Sequence, residues 1–320
     1  MTPTAIIISH TGGPLLARCV ASLRAQTQRP AEILVVVSTA KDVPVPTGVR
    51  VIAMGRSAGF AEAANAGLRE VTDGGILLLN DDTCAAADFI EKLSAAVKAP
   101  GIYQPRIMLN DGSTRIDNTG HRLFPDGFNF ARGRNLPPAD YPPEAGAFSG
   151  AAVLFTPEVL QLVGLFDEDF DAFGEDLDLS LRARRSGFRI HYVPDAVIHH
   201  ELGATYGRVS TRKIFLVERN RTWAAVRSMP LAALTTLPAW TGLRLTTQAF
   251  GAATGRGLGA GAGIRGAMAA LAGNGAGLLG ARRAWRKRLT DRHAWAAGER
   301  AMLSHIMAHR ATGQDILPRS

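Results

Sequence analysis

From residue 5 to residue 79 the chain alternates short apolar runs with amphipathic stretches, and few folds accept that order. Residues 5–9, 33–37, 49–54 and 76–79 are runs of strand length rich in Ile, Val and Leu. Residues 15–26 and 61–71 between them are helix-like, with Leu16, Cys19, Val20 and Leu23 on one helical face. Strands with no alternation are buried on both faces, and strands separated by helices pair in parallel through right-handed crossovers. The expected class is α/β, a doubly wound, mostly parallel sheet flanked by helices. Ligands of such sheets sit beyond the strand C-termini, so the turns after Ser9, Val37, Met54 and Leu79 should line one site.

Beyond the fourth strand the pattern loosens. Residues 104–143 are rich in Gly, Asn and Pro without a clear period and read as a long functional or mobile loop. Strand character returns over 147–155 and 188–193, with helices over 157–163 and 177–186, the latter closed by Gly187. A basic helix is expected over 212–227. Residues 251–280 are so rich in glycine that no rigid core is expected there.

The net charge of +8 is unevenly distributed. From Thr205 onward there are 18 Lys and Arg against 4 Asp and Glu, and before it 18 against 24. A domain over residues 1–204, in halves of about 1–100 and 101–204, followed by a basic, Gly/Ala-rich helical extension over 205–320, fits this split. The cationic tail implies an anionic partner, and Arg282, Arg283, Trp285, Arg286, Lys287 and Arg288 suit peripheral contact with an anionic membrane. No nucleic-acid module accompanies the charge, so nucleic acid is not an expected partner. The uncharged run 228–243 carries Pro230 and Pro238 and is not expected to span a membrane. The N-terminus lacks the basic and long apolar regions of a signal peptide, and Cys19 and Cys84 lack metal-ligand spacing. Cytoplasmic residence, in contact with the inner membrane face, is the expectation.

Two acidic knots suggest chemistry. Seven carboxylates fall between Asp167 and Asp178, and Asn80-Asp81-Asp82 ends the fourth strand. Like charges gather where a cation, a proton or a partner relieves them. A strand that delivers carboxylates at its C-terminal end, together with a strand ending in His199-His200, suggests a divalent-metal phosphate site.

In order, these segments resemble inverting family 2 glycosyltransferases of the GT-A fold, in particular the rhamnosyltransferase-like subgroup. The likeness covers about the first 225 residues. It rests on Ser9-His10-Thr11, Gly59-Phe60 with Asn65-Ala66-Gly67, Asn80-Asp81-Asp82-Thr83, Gly174-Glu175-Asp176-Leu177-Asp178, Val193 to His200, and Arg219-Asn220. Two departures touch the nucleotide base. Val37-Ser38-Thr39 stands where the family has an Asp-bearing turn, and His10-Thr11 where Tyr-Asn is usual.

The resemblance implies a role for each group. Asp82 and His200 would hold Mg²⁺ or Mn²⁺. Ser9, His10, Thr11, Ser38, Ser57, Gly59, Asn65, Asn80 and Asp81 would bind the nucleotide-sugar. Asp176 would be the general base, with Glu175, Asp178 and Gly150 on the acceptor side. Asp178, two residues from Asp176, points elsewhere on a helix and has Arg182 at i+4. The implied activity moves a sugar from a dTDP- or UDP-linked donor, rhamnose among the candidates, to a hydroxyl of a cell-envelope glycan or lipid-linked saccharide. Two rivals stand beside it. A degenerate, glycan-binding or scaffolding relative would explain the altered base turn. A nucleotidyltransferase shares acidic metal ligands but needs a lysine-bearing glycine loop, absent from His10-Thr11-Gly12-Gly13-Pro14.

Overall fold

The computed structural model describes residues 1–201, 210–254 and 263–316. The first half runs β1 (Thr4–Ser9), α1 (Gly13–Arg24), β2 (Ile33–Val37), β3 (Arg50–Ala53), α2 (Phe60–Leu68) and β4 (Ile76–Asn80). The second runs β5 (Thr83–Ala85), α3 (Phe89–Ala95), β6 (Gly101–Leu109), β7 (Ile116–Asn118), β8 (His121–Leu123), β9 (Asn129–Ala131), β10 (Ala152–Phe155), α4 (Pro157–Val163), α5 (Glu175–Arg185) and β11 (Arg189–His200). Helices α6 (Thr211–Ser228), α7 (Leu231–Ala253), α8 (Gly263–Asp291), α9 (Glu299–Ala308) and α10 (Gly313–Ile316) follow. The boundary expected at residues 204/205 lies outside the described residues.

Among the described residues the main sheet has nine strands in the order β3-β2-β1-β4-β10-β6-β11-β5, with β7 paired to β6. Pairs β1–β2, β1–β4, β2–β3 and β6–β11 are parallel. Strand β10 joins the halves antiparallel to both β4 and β6. The apolar runs are continuous because both faces are covered. Ala5 and Ile7 pack with Leu16, Cys19, Val20 and Leu23 of α1, while Ile6 and Ile8 pack with Ala61, Ala64 and Leu68 of α2.

Two expectations are corrected. Residues 104–143 are not a loop: β6 lies inside the sheet, and β7, β8 and β9 follow it. Pro105 hid that strand, since proline is a poor guest in a sheet interior. Here β11 bulges between Val193 and Val197, opposite Pro105 and Arg106, where a ladder donor is missing. The glycine-rich segment is ordered helix where it is described beyond residue 262, since that part belongs to α8, which packs along α6. A Cβ on Gly273 would come within 2.5 Å of the Phe215 carbonyl, and one on Gly277 within 2.8 Å of Thr222. The glycines are the condition for close contact between the two helices.

The C-terminal helices join the rest of the chain through buried arginines. Arg244 bonds Asp126 and Glu218, each at 2.8 Å, and Arg221 bonds Glu218 at 2.8 Å. Arg185 donates to the Ser228 carbonyl at 2.8 Å, and Arg288 to the Met229 carbonyl at 2.6 Å. Fully buried guanidinium groups need such partners, because an unpaired one is costly. No described helix is long and apolar enough to cross a membrane.

Candidate active site

The C-terminal ends of β1 and β4 lie side by side, which brings Ser9 against the acidic turn. Ser9 Oγ donates to Asp81 Oδ2 and accepts from the Gly12 amide at 3.0 Å. Burial, with the neighbouring Asp82 charge, lifts the Asp81 carboxyl to about 6 against the opposing Ser9 hydrogen bond. His10 Nδ1 lies 3.1 Å from the Ser38 carbonyl and 3.3 Å from its hydroxyl, so the first two turns form one polar wall. Thr11 and Ser57 are exposed, and Asn80 is half-buried.

Asp82 and His200 meet although 118 residues separate them in sequence. Antiparallel pairing sets His200 opposite Thr83, with Nε2 3.2 Å from Asp82 Oδ1. That carboxylate oxygen is buried and meets no donor among the described residues besides this ring nitrogen. The other ring nitrogen, Nδ1, donates to Asp117 Oδ2 at 2.7 Å, and Asp117 is also paired with Arg134 at 2.9 Å. Burial pulls the His200 imidazolium down, but the hydrogen bonds to Asp117 and Asp82 prevail and raise it to about 9. A buried carboxylate oxygen facing an imidazole whose far nitrogen is fixed by a second carboxylate is a donor set that fits a divalent cation, which would take the place of the Nε2 proton. Asp117 was invisible in the sequence, lying in a segment read as loop.

The opposite wall is the start of α5. Asp176 accepts from the Leu177 amide at 2.7 Å and from the Gly150 amide at 3.4 Å. Gly150 therefore orients the candidate base. His121 places Nδ1 4.0 Å from Asp176 Oδ2. The same nitrogen donates to the Phe148 carbonyl at 2.9 Å, and Nε2 accepts from Asn118 Nδ2 at 3.0 Å, so the ring is the neutral Nδ1–H tautomer. Burial holds its pKa down. Residues 116–121 thus reach both sides, Asp117 toward His200 and Asn118 with His121 toward Asp176. Glu175 is buried, and its Oε2 has no hydrogen-bond partner. Desolvation first, then the Asp176 charge, raises its pKa well above the usual carboxyl value.

A strained loop presents α5. Asp171, Phe173 and Gly174 have φ of 62°, 64° and 91°. Non-glycine residues in that region persist only when the surroundings hold them. Asn220 does so, its amide donating to the carbonyls of Phe170 at 2.9 Å, Ala172 at 3.0 Å and Phe173.

Two expected site residues have their side chains committed within the chain, and a third is packed closely. Asn65 is buried, with its amide committed to the Phe166 backbone in both directions and to Glu168, so it braces α2 rather than binding the nucleotide-sugar. Gly59 abuts Asp171, where a Cβ would come within 2.6 Å of the carboxylate, so the close approach requires glycine whatever else its backbone contacts. Asp178 is fully buried in ion pairs with Arg182 at 2.7 Å and Arg227 at 3.1 Å, which removes it from the acceptor side.

The other carboxylates of the cluster are also paired. Asp167 meets Arg227 and Lys287, and Asp169 meets Lys287 and Arg283. Asp171 meets Arg212, and Glu168 meets Arg69. Part of the tail's positive charge is therefore spent inside the molecule, where an external anion had been expected. Glu175 and Asp176 alone of the seven carry no Lys or Arg partner among the described residues. A separate group, Glu144, His305 and His309, has ligand atoms within 4.8 Å of one another. Arg184 stands 3.8 Å from Glu144, and with Arg132 it opposes added positive charge at His309, so we place no cation there.

Residues 3–225 match the family model described as "Glycosyltransferase like family 2". An N-acetylglucosaminyl-diphospho-decaprenol L-rhamnosyltransferase of Mycobacterium tuberculosis is 27% identical over 263 residues, 68% of this chain and 85% of that protein. The dTDP-rhamnosyl transferase RfbF of Shigella flexneri is 26% identical over 162 residues, 48% of this chain and 53% of its own. Among solved structures, S. aureus TarS 1-349 in complex with UDP-GlcNAc aligns with a TM-score of 0.58 at 13% identity, covering 96% of this chain and 89% of that one. GalNAc-T7 with UDP, GalNAc and Mn²⁺ aligns with a TM-score of 0.55 at 16% identity, over 74% of this chain and 49% of that one. The sheet, its helices and these likenesses define the GT-A fold, and the chain belongs to glycosyltransferase-like family 2 as a glycosyltransferase with rhamnosyltransferase relatives.

Proposed function

We propose that the protein is a metal-dependent, inverting glycosyltransferase that moves rhamnose or a related sugar from a dTDP- or UDP-linked donor to a hydroxyl of a lipid-linked saccharide at the inner membrane face. The observation that carries this reading is the buried Asp82 Oδ1 facing His200 Nε2 at 3.2 Å, with no other donor near it among the described residues. Both rhamnosyltransferase relatives support the sugar, and the mycobacterial one supports the lipid-linked acceptor.

Asp82 and His200 would hold Mg²⁺ or Mn²⁺. When bound, the cation supplies positive charge against the diphosphate that leaves with the nucleoside. Ser9, His10, Ser38 and Asp81 form the polar wall on which ribose and base would rest, with Thr11, Ser57 and Asn80 as further candidate contacts. Asp176 takes the proton of the acceptor hydroxyl as that oxygen attacks the anomeric carbon. It is held for this by the amides of Leu177 and Gly150. Burial and the neighbouring Asp176 charge raise the Glu175 pKa, which favours its neutral form, and an O–H there would be able to orient acceptor hydroxyls.

Thermal-shift titration with UDP, dTDP, GDP and CDP, each with and without Mn²⁺ or Mg²⁺, tests the donor half. One nucleotide should stabilise the protein only with metal, and not in Asp82→Ala. Stabilisation by none of them under any metal condition would favour a glycan-binding scaffold.

A further inference from the structure

Helix α8 has a buried side and an opposite side that none of the described residues covers. Gly266, Gly273, Gly277, Ala284 and Arg288 are buried. Ile264, Met268, Leu271, Leu278, Leu279, Trp285 and Leu289 are between 38% and 88% exposed. At about 100° per residue all of these fall within roughly 60° of the Ile264 direction, over a stripe about 37 Å long. Monomeric proteins seldom expose so long an apolar stripe.

Charge indicates what covers it. Arg282 and Arg286 project on the same stripe, and Arg265 stands at its flank. These three have no ion pair among the described residues, unlike Arg283, Lys287 and Arg288. No Asp or Glu occurs between Gly263 and Thr290. A second copy packed on this stripe would bring cations into an interface that offers no carboxylate. An anionic lipid surface takes both the apolar side chains and the arginines, with Trp285 at the polar boundary.

We infer that the exposed face of α8 is a membrane-docking surface: the helix lies flat on an anionic bilayer, with Ile264, Met268, Leu271, Leu278 and Leu279 in the acyl boundary and Arg265, Arg282 and Arg286 on the headgroups. This deepens the proposed lipid-linked acceptor reading and rests on it for its purpose. The surface takes in Arg282, Trp285 and Arg286 of the cationic cluster at residues 282–288, whose other members Arg283, Lys287 and Arg288 are paired with Asp169, Asp167 and Glu299.

The test is flotation of the full chain with phosphatidylglycerol-containing and pure phosphatidylcholine vesicles, at low and high salt. The protein should float with the anionic vesicles, and less so at high salt. Leu271→Asp with Leu278→Asp should weaken binding at least about ten-fold at both salt levels. Arg282→Glu with Arg286→Glu should weaken it about ten-fold or more at low salt only. Both pairs are exposed and should leave the melting temperature and its response to nucleotide unchanged. Failure of the wild type to float, or equal binding by all three proteins, overturns the inference. So does a wild-type dimer by light scattering that the Leu variant converts to monomer. Intact flotation with no nucleotide response would overturn the catalytic reading and support the docking surface.

Discussion

Asp117 accepts a 2.7 Å hydrogen bond from Nδ1 of His200, which leaves Nε2 facing Asp82 at 3.2 Å. A carboxylate behind a ligating imidazole fixes the ring and its tautomer and raises its basicity. If His200 holds a cation, Asp117 sets how well it does so.

Replacing Asp117 with Asn should therefore weaken Mn²⁺ binding about 10–100-fold, as removal of such partners typically does. Calorimetric titration of Mn²⁺ in the presence of nucleoside diphosphate checks this. Unchanged affinity would mean that Asp117 only anchors Arg134.

Asp176→Asn should lower kcat by about 10²–10⁴-fold, the range for losing a general base. Nucleotide-induced stabilisation should persist, since the contacts of Asp176 are with Leu177 and Gly150 on the acceptor wall. Turnover near the wild-type level would assign the proton transfer elsewhere.

Glu175 makes a pH prediction. Its folded pKa is raised, so between its unfolded value near 4.5 and that raised value the native state binds the extra proton. The stability contributed by the protonated carboxyl is complete below pH 4.5 and is lost as pH rises through the folded pKa. Glu175→Gln keeps the shape without the titration. Its melting temperature should gain on the wild type progressively above pH 4.5, and parallel curves would refute the assignment.

Asn220→Ala removes the amide that holds the carbonyls of Phe170, Ala172 and Phe173. Unsatisfied buried groups cost about 1–3 kcal/mol, and the left-handed turn before Glu175 loses its brace. Denaturant unfolding should show that loss, and turnover should fall with it even though Asn220 touches no candidate catalytic group.

Gly273→Ala tests the α6–α8 contact through its sign. Alanine in a helix interior ordinarily stabilises by about 1 kcal/mol over glycine. Here the Cβ would lie 2.5 Å from the Phe215 carbonyl, so destabilisation of about 1–3 kcal/mol is expected instead. A raised melting temperature would show that the helices part without cost.

Local pattern was enough for the alternating strands and helices of the first half, because burial on both sheet faces writes itself into continuous apolar runs. Motif order pointed to Asp82, His200 and Asp176, and the fold places them at the ends of β4 and β11 and at the start of α5. It failed for Asn65 and Asp178, which match by residue type and position yet are consumed by Phe166 and Arg227. Asp117 and His121 were not legible, since their partners lie 83 and 55 residues away in sequence and nothing near them marks a site. The acidic cluster shows the limit most clearly. Its charge density could be counted from the chain, but whether a metal, a membrane or an arginine neutralises each carboxylate depends on which distant groups reach it. Hydrophobic periodicity is a short-range signal and can be read along a segment, whereas ion pairing is decided by the approach of remote segments and became visible only once the chain was folded.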